Sequence, residues 1–255
     1  MNLLEHSTYL FEAFSIDEFP PFPCPDCGHA LLKDVKSRKI GEYGESKRLW
    51  DVGAINPEDR LGMFSIFLNC SSASCQAQVV LIGEDSNRCV EGYDGSPDYE
   101  TYYAPRFFLP TIPLFPVSKN LPETVKGQLM LSFSHFWNDP SAGGNSLRRA
   151  MEALMDHFKI RRKRLTPKQK MHKLVLHDRI SEWGKSKPEY QNLSELLLAV
   201  KWIGNAGSHQ ADLTKNDLVE AYKLAEHVFS EVFDTRTETL KKIAKRVNKS
   251  KGPAK

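Results

Sequence analysis

Two hydrophobic periods divide the chain. Between residues 20 and 86 apolar residues come in short runs, at 49–52, 63–68 and 77–82, separated by turn residues, a pattern that predicts a small module of β-strands. After Pro122 the period becomes helical. Val125, Leu129, Phe133 and Phe136 form one stripe of a first helix, and residues 141–145, with their paired glycines, predict its break. Leu147, Met151, Leu154, Met155 and Phe158 stripe a second helix, with Asn145 or Ser146 available as its cap. A third helix is expected near 172–183 and a fourth near 193–203. A fifth runs from Leu218 through Tyr222, Ala225 and Phe229 to Phe233, opened by Thr214 and Asp217 at capping-box spacing. Between the two regimes, prolines at 97, 105, 110, 113, 116 and 122 alternate with Tyr99, Tyr102, Tyr103, Phe107, Phe108 and Phe115. Prolines this dense argue against helix or central strand, so the stretch reads as an extended linker that packs its aromatics.

The expected fold class is therefore α+β: a β module over residues 1–93, a linker over 94–121, a five-helix bundle over 122–235 and a basic tail over 236–255. The tail carries eight Lys/Arg and one Glu, and reads as a fraying helix passing into disorder. No repeat of 20–50 residues points to a solenoid.

Composition adds little until the halves are separated. Hydrophobic content of 40% and charged content of 26% fit an ordinary globular protein. The N-terminus lacks a basic stretch followed by an apolar run, so a signal peptide and a membrane span are not expected, and the expected location is the cytoplasm. Residues 1–120 hold 10 Lys+Arg against 17 Asp+Glu, whereas residues 121–255 hold 25 against 15. An acidic half and a basic half point to phosphate-bearing partners or to a second copy of the chain.

Five cysteines are too few for a disulfide scaffold and suit a reducing compartment. Cys24-Pro-Asp-Cys27-Gly28 has the form of a zinc knuckle, with two thiolates on one tight turn and a glycine free to take positive φ. Cys70 and Cys75, separated by four residues between two β-like runs, supply a second pair. Four thiolates leave zinc no open position, so its expected role is structural. His29 or Cys89 could replace one ligand; unrelated buried thiols or a redox Cys-x-x-Cys are the competing readings.

Residues 100–233 resemble the bacterial family called domain of unknown function 4145, grouped with the HEPN superfamily of helical nucleic-acid-associated domains. The resemblance rests on Tyr103-Ala-Pro105, Leu121-Pro122, the 147–154 run Leu-Arg-Arg-Ala-Met-Glu-Ala-Leu, and above all Ile203-Gly-Asn-Ala-Gly-Ser-His209. It implies an all-α bundle that often forms a homodimer, occurs in phage-defence settings and sometimes follows a zinc ribbon. In active HEPN ribonucleases an Arg followed by a polar residue precedes a His by four to six positions, and two protomers cleave RNA without metal. Here Asn205 and His209 match the polar and His positions, while Gly204 stands at the Arg position. Metal-free cleavage needs an acid or base near neutral pH and a cation at the phosphate. His209 could supply the first and Arg148 the second, although Arg148 and Arg149 also stand within ion-pair reach of Glu152. A competing reading makes residues 204–209 a plain helix C-terminus with Gly204 as left-handed cap.

Residues 159–173 contain Arg161, Arg162, Lys163 and Arg164 and no acid, a candidate nucleic-acid-binding segment without interleaved aromatics. His135, His157, His172, His177 and His227 read as scaffold or surface. The expected function is binding to, or action on, RNA or DNA in host defence. A ribonuclease using His209 and a non-catalytic docking and dimerisation module for a larger defence protein are the alternatives. Walker, Rossmann, nucleophile-elbow and His-Glu-x-x-His patterns are absent from the sequence.

Overall fold

The computed structural model describes residues 2–6, 8–34, 38–165, 170–209, 213–234 and 236–252, with side chains for all of these except 34, 206–209 and 236–241. The chain is mixed helix and sheet and separates into two compact units, Met1–Pro116 with Met130–Gly143, and Val117–Leu129 with Gly144–Lys255.

The first unit is built on an antiparallel sheet of β1 (Leu32–Asp34), β2 (Lys39–Glu42), β3 (Leu61–Cys70), β4 (Gln78–Glu91) and β5 (Pro97–Leu109), in the order β1-β3-β4-β5, with β2 also paired to β3. It also holds two short helices, α1 (Thr8–Phe11) and α2 (Gly44–Asp51). Alternation along β3 buries Phe64, Ile66 and Leu68 and leaves Leu61, Met63 and Phe67 exposed. The buried face is zipped by aromatics: Phe64 meets Tyr103 at 4.9 Å, Phe22 meets Phe108 at 4.9 Å, and Trp137 meets Phe108 at 5.0 Å between ring centroids.

Strand β5 takes up residues 97–109 of the stretch expected to be a linker over 94–121. Its prolines are tolerated because β5 is the edge of the sheet, Pro97 is its first residue, and Pro105 lies opposite Gly83 where the register shifts. Gly83 is obligatory there. A Cβ would stand 2.1 Å from the Ala104 carbonyl oxygen and 2.6 Å from the Phe64 ring.

The second unit draws on α3 (Glu123–Phe136) and α4 (Pro140–His157), each of which is shared between the units. It continues through a hairpin of β6 (Lys163–Leu165) and β7 (Met171–Lys173), then α5 (Leu176–Ser186), α6 (Gln191–His209), α7 (Lys215–Phe233) and α8 (Arg236–Ser250). Among the described residues, α3 to α7 lie within the span 122–235 and α8 follows it. Three boundaries differ. The anticipated break at 141–145 lies inside α4, since an interior glycine costs a helix only about 1 kcal/mol and Gly144 is needed for a close crossing. The basic segment forms a hairpin rather than a plain connection. Residues 236–250 are helical as far as Ser250, where a fraying helix passing into a disordered basic tail was expected, and residues 253–255 lie outside the described residues. The capping box of α7 matches its expectation: the Asp217 amide donates to Thr214 Oγ1 (3.2 Å) and the Thr214 amide to Asp217 Oδ2 (3.0 Å). Among the described residues no helix is long and apolar enough to cross a membrane.

Candidate functional site

Two turns bring the cysteines of the first unit together. Cys24 enters from the segment bridging Pro23 to Leu31, and the turn to Cys27 is closed by the Gly28 amide donating to the Cys24 carbonyl (3.0 Å), with Gly28 at φ +71°. Cys70 ends β3, and Cys75 lies in the loop back to β4, where its amide donates to the Ser72 carbonyl (3.1 Å). All four sulfurs lie within 4.8 Å of one another, with Cys24–Cys75 and Cys27–Cys70 each at 3.7 Å. A disulfide needs ~2.05 Å. Four thiolates at ~2.3 Å around a tetrahedral ion stand ~3.8 Å apart, so the spacing suits a metal site and not two disulfides.

The surroundings prepare one thiolate more than another. Backbone amides of His29 and Ala30 lower the Cys27 thiol to about 6, while burial raises Cys24 to about 12 and also raises Cys70. His29 is no part of the cluster. Its Nδ1–H donates to the Cys27 carbonyl at 2.7 Å. Cys89 is exposed on β4 opposite Tyr99, also outside the cluster.

In the second unit, α4 and α6 cross at two glycines. A Cβ on Gly204 would meet the Gly144 carbonyl at 3.3 Å, and one on Gly144 would strike Leu213 at 2.6 Å. Gly204 is therefore an interior helix-crossing residue, not a left-handed cap, because α6 runs on through His209. That crossing carries Arg148 to Asn205: the guanidinium donates to Asn205 Oδ1 at 3.1 Å and also lies 3.7 Å from Glu152. The His209 backbone ends α6; its side chain lies outside those described.

One helical turn before Asn205 stands Lys201, only 7% exposed. Burial, and then the charge of Arg148, lower its pKa. Its ammonium sits 3.1 Å from the centroid of the Trp202 ring, and Trp202 is 59% exposed. His177 approaches Trp202 at 6.1 Å, and its Nδ1 is buried without a hydrogen-bond partner among the described residues. Sequence reading passed over Lys201 and Trp202 and classed His177 as scaffold. Only their adjacency to the 203–209 motif could have drawn attention to them.

Arg148 also lines a cleft of about 300 Å³ with Glu152, Asp156, Arg162, Lys173 and Arg179. Asp156 is the anchor of its wall. Arg162 donates to it at 2.9 and 2.5 Å and buried Arg179 at 2.6 Å, and these bonds hold its carboxyl down at about 2. The basic segment is thus divided in its roles. Arg162 is committed to Asp156 and Arg161 to Glu182 (3.3 Å), whereas Lys163 and Arg164 are exposed on β6, opposite Lys173 and His172 of β7. Arg149 is exposed on α4.

No curated protein and no solved structure matches the chain. Two family models do. Residues 12–108, a span that includes all four clustered cysteines and nearly all of β5, match one described as Domain of unknown function (DUF8608). Residues 132–250 match Domain of unknown function (DUF4145), so the helical part of the chain, including Arg148, Lys201, Trp202 and Asn205, is similar to that family.

Proposed function

We propose that the helical unit is a HEPN-like nucleic-acid-binding module, that the cysteine cluster holds a structural zinc ion in a ribbon-like β module, and that the protein acts as a homodimer in bacterial defence against phage or foreign DNA. The observation that carries this reading is the meeting of Arg148 and Asn205 at 3.1 Å beside the buried ammonium of Lys201. Two cations and an amide converge from two helices, which suits a phosphate and its neighbouring polar edge. The exposed Lys163 and Arg164 extend the same positive character along the β6–β7 hairpin. For the zinc, the support is the 3.7 Å sulfur spacing; Cys24, Cys27, Cys70 and Cys75 would hold the ion and leave it no open position.

A catalytic form of this reading is favoured by the same contact. Gly204 cannot carry the family's arginine, but Arg148 reaches the adjacent polar residue from α4 and could stabilise charge developing on a phosphate, with His209 as acid or base one turn beyond Asn205.

The test is incubation of the protein with labelled single-stranded RNA and with duplex DNA in EDTA over a salt series, comparing wild type, His209→Ala and Arg148→Ala. Binding that weakens with salt, falls in Arg148→Ala and survives in His209→Ala is the expected result. RNA cleavage by wild type that is lost in both variants would establish the ribonuclease. Absence of affinity at moderate salt would sink the nucleic-acid reading in favour of a docking and dimerisation module.

A further inference from the structure

Lys201 and Trp202 pose a problem that nucleic-acid binding in general does not solve. A lysine 93% withdrawn from solvent is costly unless an anion compensates it. Among the described residues Lys201 has no acidic partner: the Trp202 ring and the like charge of Arg148 act on its ammonium. Beside it an indole, which a helix ordinarily buries, is left 59% exposed. Of the other tryptophans, Trp137 and Trp183 are fully buried and Trp50 is 37% exposed. The ammonium covers one face of Trp202, and His177 stands tilted at its flank.

We infer that Trp202 is a stacking platform for a nucleobase of a single-stranded nucleic acid whose phosphate is held by Lys201 and Arg148. This rests on the nucleic-acid reading and narrows it from nucleic acid in general to unpaired strands. The ammonium polarises the indole from one side, which favours a base on the other, and phosphate and base are separate groups of one nucleotide, as cation and exposed ring are separate surfaces here. A duplex keeps its bases stacked on each other and cannot offer a face to an indole; an unpaired strand can. The basic segment contains no aromatic residue, so stacking is not evident along it. The fold supplies the aromatic from α6 instead, next to the residue that meets Arg148.

The experiment is fluorescence anisotropy of a labelled 12-nucleotide single strand and of the corresponding 12-base-pair duplex with the full chain, comparing wild type, Trp202→Ala and Trp202→Phe, alongside intrinsic tryptophan fluorescence. Trp202→Ala is expected to lose about ten-fold in affinity for the single strand and little for the duplex. Trp202→Phe should retain most of the affinity, and the single strand should quench wild-type fluorescence but not that of Trp202→Phe. Because Trp202 lies largely outside the core, both variants should melt with wild type. Single-strand binding that Trp202→Ala leaves intact, or an equal loss on single strand and duplex, would overturn the platform while leaving nucleic-acid binding standing. Binding of neither ligand by wild type would overturn the reading beneath it as well.

Discussion

At the scale of single residues, the helical unit turns on a few side chains whose roles depend on charge compensation. Arg179 is 5% exposed and is tolerated because it donates to Asp156 and to the Ile160 carbonyl (3.0 Å). Asp156 in turn has its pKa lowered from 3.8 to about 2. A folded pKa below the unfolded one means that the stabilisation is fully present above about pH 4 and is lost as pH falls towards 2. Asp156→Asn is therefore expected to cost about 1–3 kcal/mol at neutral pH, towards the lower figure because the carboxylate is 34% exposed and partly screened. Denaturant midpoints measured from pH 7 down to pH 2.5 check this, and the gap between variant and wild type should close as the wild-type carboxyl protonates. A gap independent of pH would show that the ion pairs are not its source. None of these pairings is visible in sequence, because Asp156 and Arg179 stand 23 positions apart and nothing in either local pattern singles them out.

At the scale of elements, glycine and proline carry different meanings in different settings. The prolines of β5 read as a linker along the chain, yet an edge strand with a bulge accommodates them. Gly83→Ala should destabilise the sheet by at least about 1–3 kcal/mol, because its methyl group would meet backbone oxygen that cannot swing away. Gly127→Ala on α3, where nothing lies within 4 Å of the added carbon, should instead be neutral or stabilising by up to about 1 kcal/mol. Thermal or urea unfolding of the two variants side by side decides it, and equal effects would refute the bulge account. The same reasoning separates helices correctly and incorrectly anticipated. The α7 cap was legible because Thr214 and Asp217 act within one turn. The continuation of α6 past Gly204 was not, because Gly204 is required by Gly144, sixty positions earlier in the chain.

At the scale of the whole molecule, the small β module and the helical unit draw stability from different sources. If the four sulfurs hold one ion, metal analysis should give one per chain, and removing it with a strong chelator should lower the thermal midpoint, because binding and folding are one equilibrium at such a site. Cys24→Ser should reproduce the loss, and Cys89→Ser should leave metal content unchanged. Metal content that survives Cys24→Ser would refute the assignment. The sequence by itself determined the mixed class, the positions of most helices, the four cysteines as one cluster and the basic character of the second half. Each of these is written in local period, turn chemistry or residue type. Tertiary structure alone decided that β5 joins the sheet, that the basic segment folds into a hairpin with two of its three arginines committed to acids, and that Arg148 meets Asn205 beside a buried lysine and an exposed indole. The physical reason is that these depend on pairs far apart in the chain, whose meeting is set by which faces of strands and helices must be buried together.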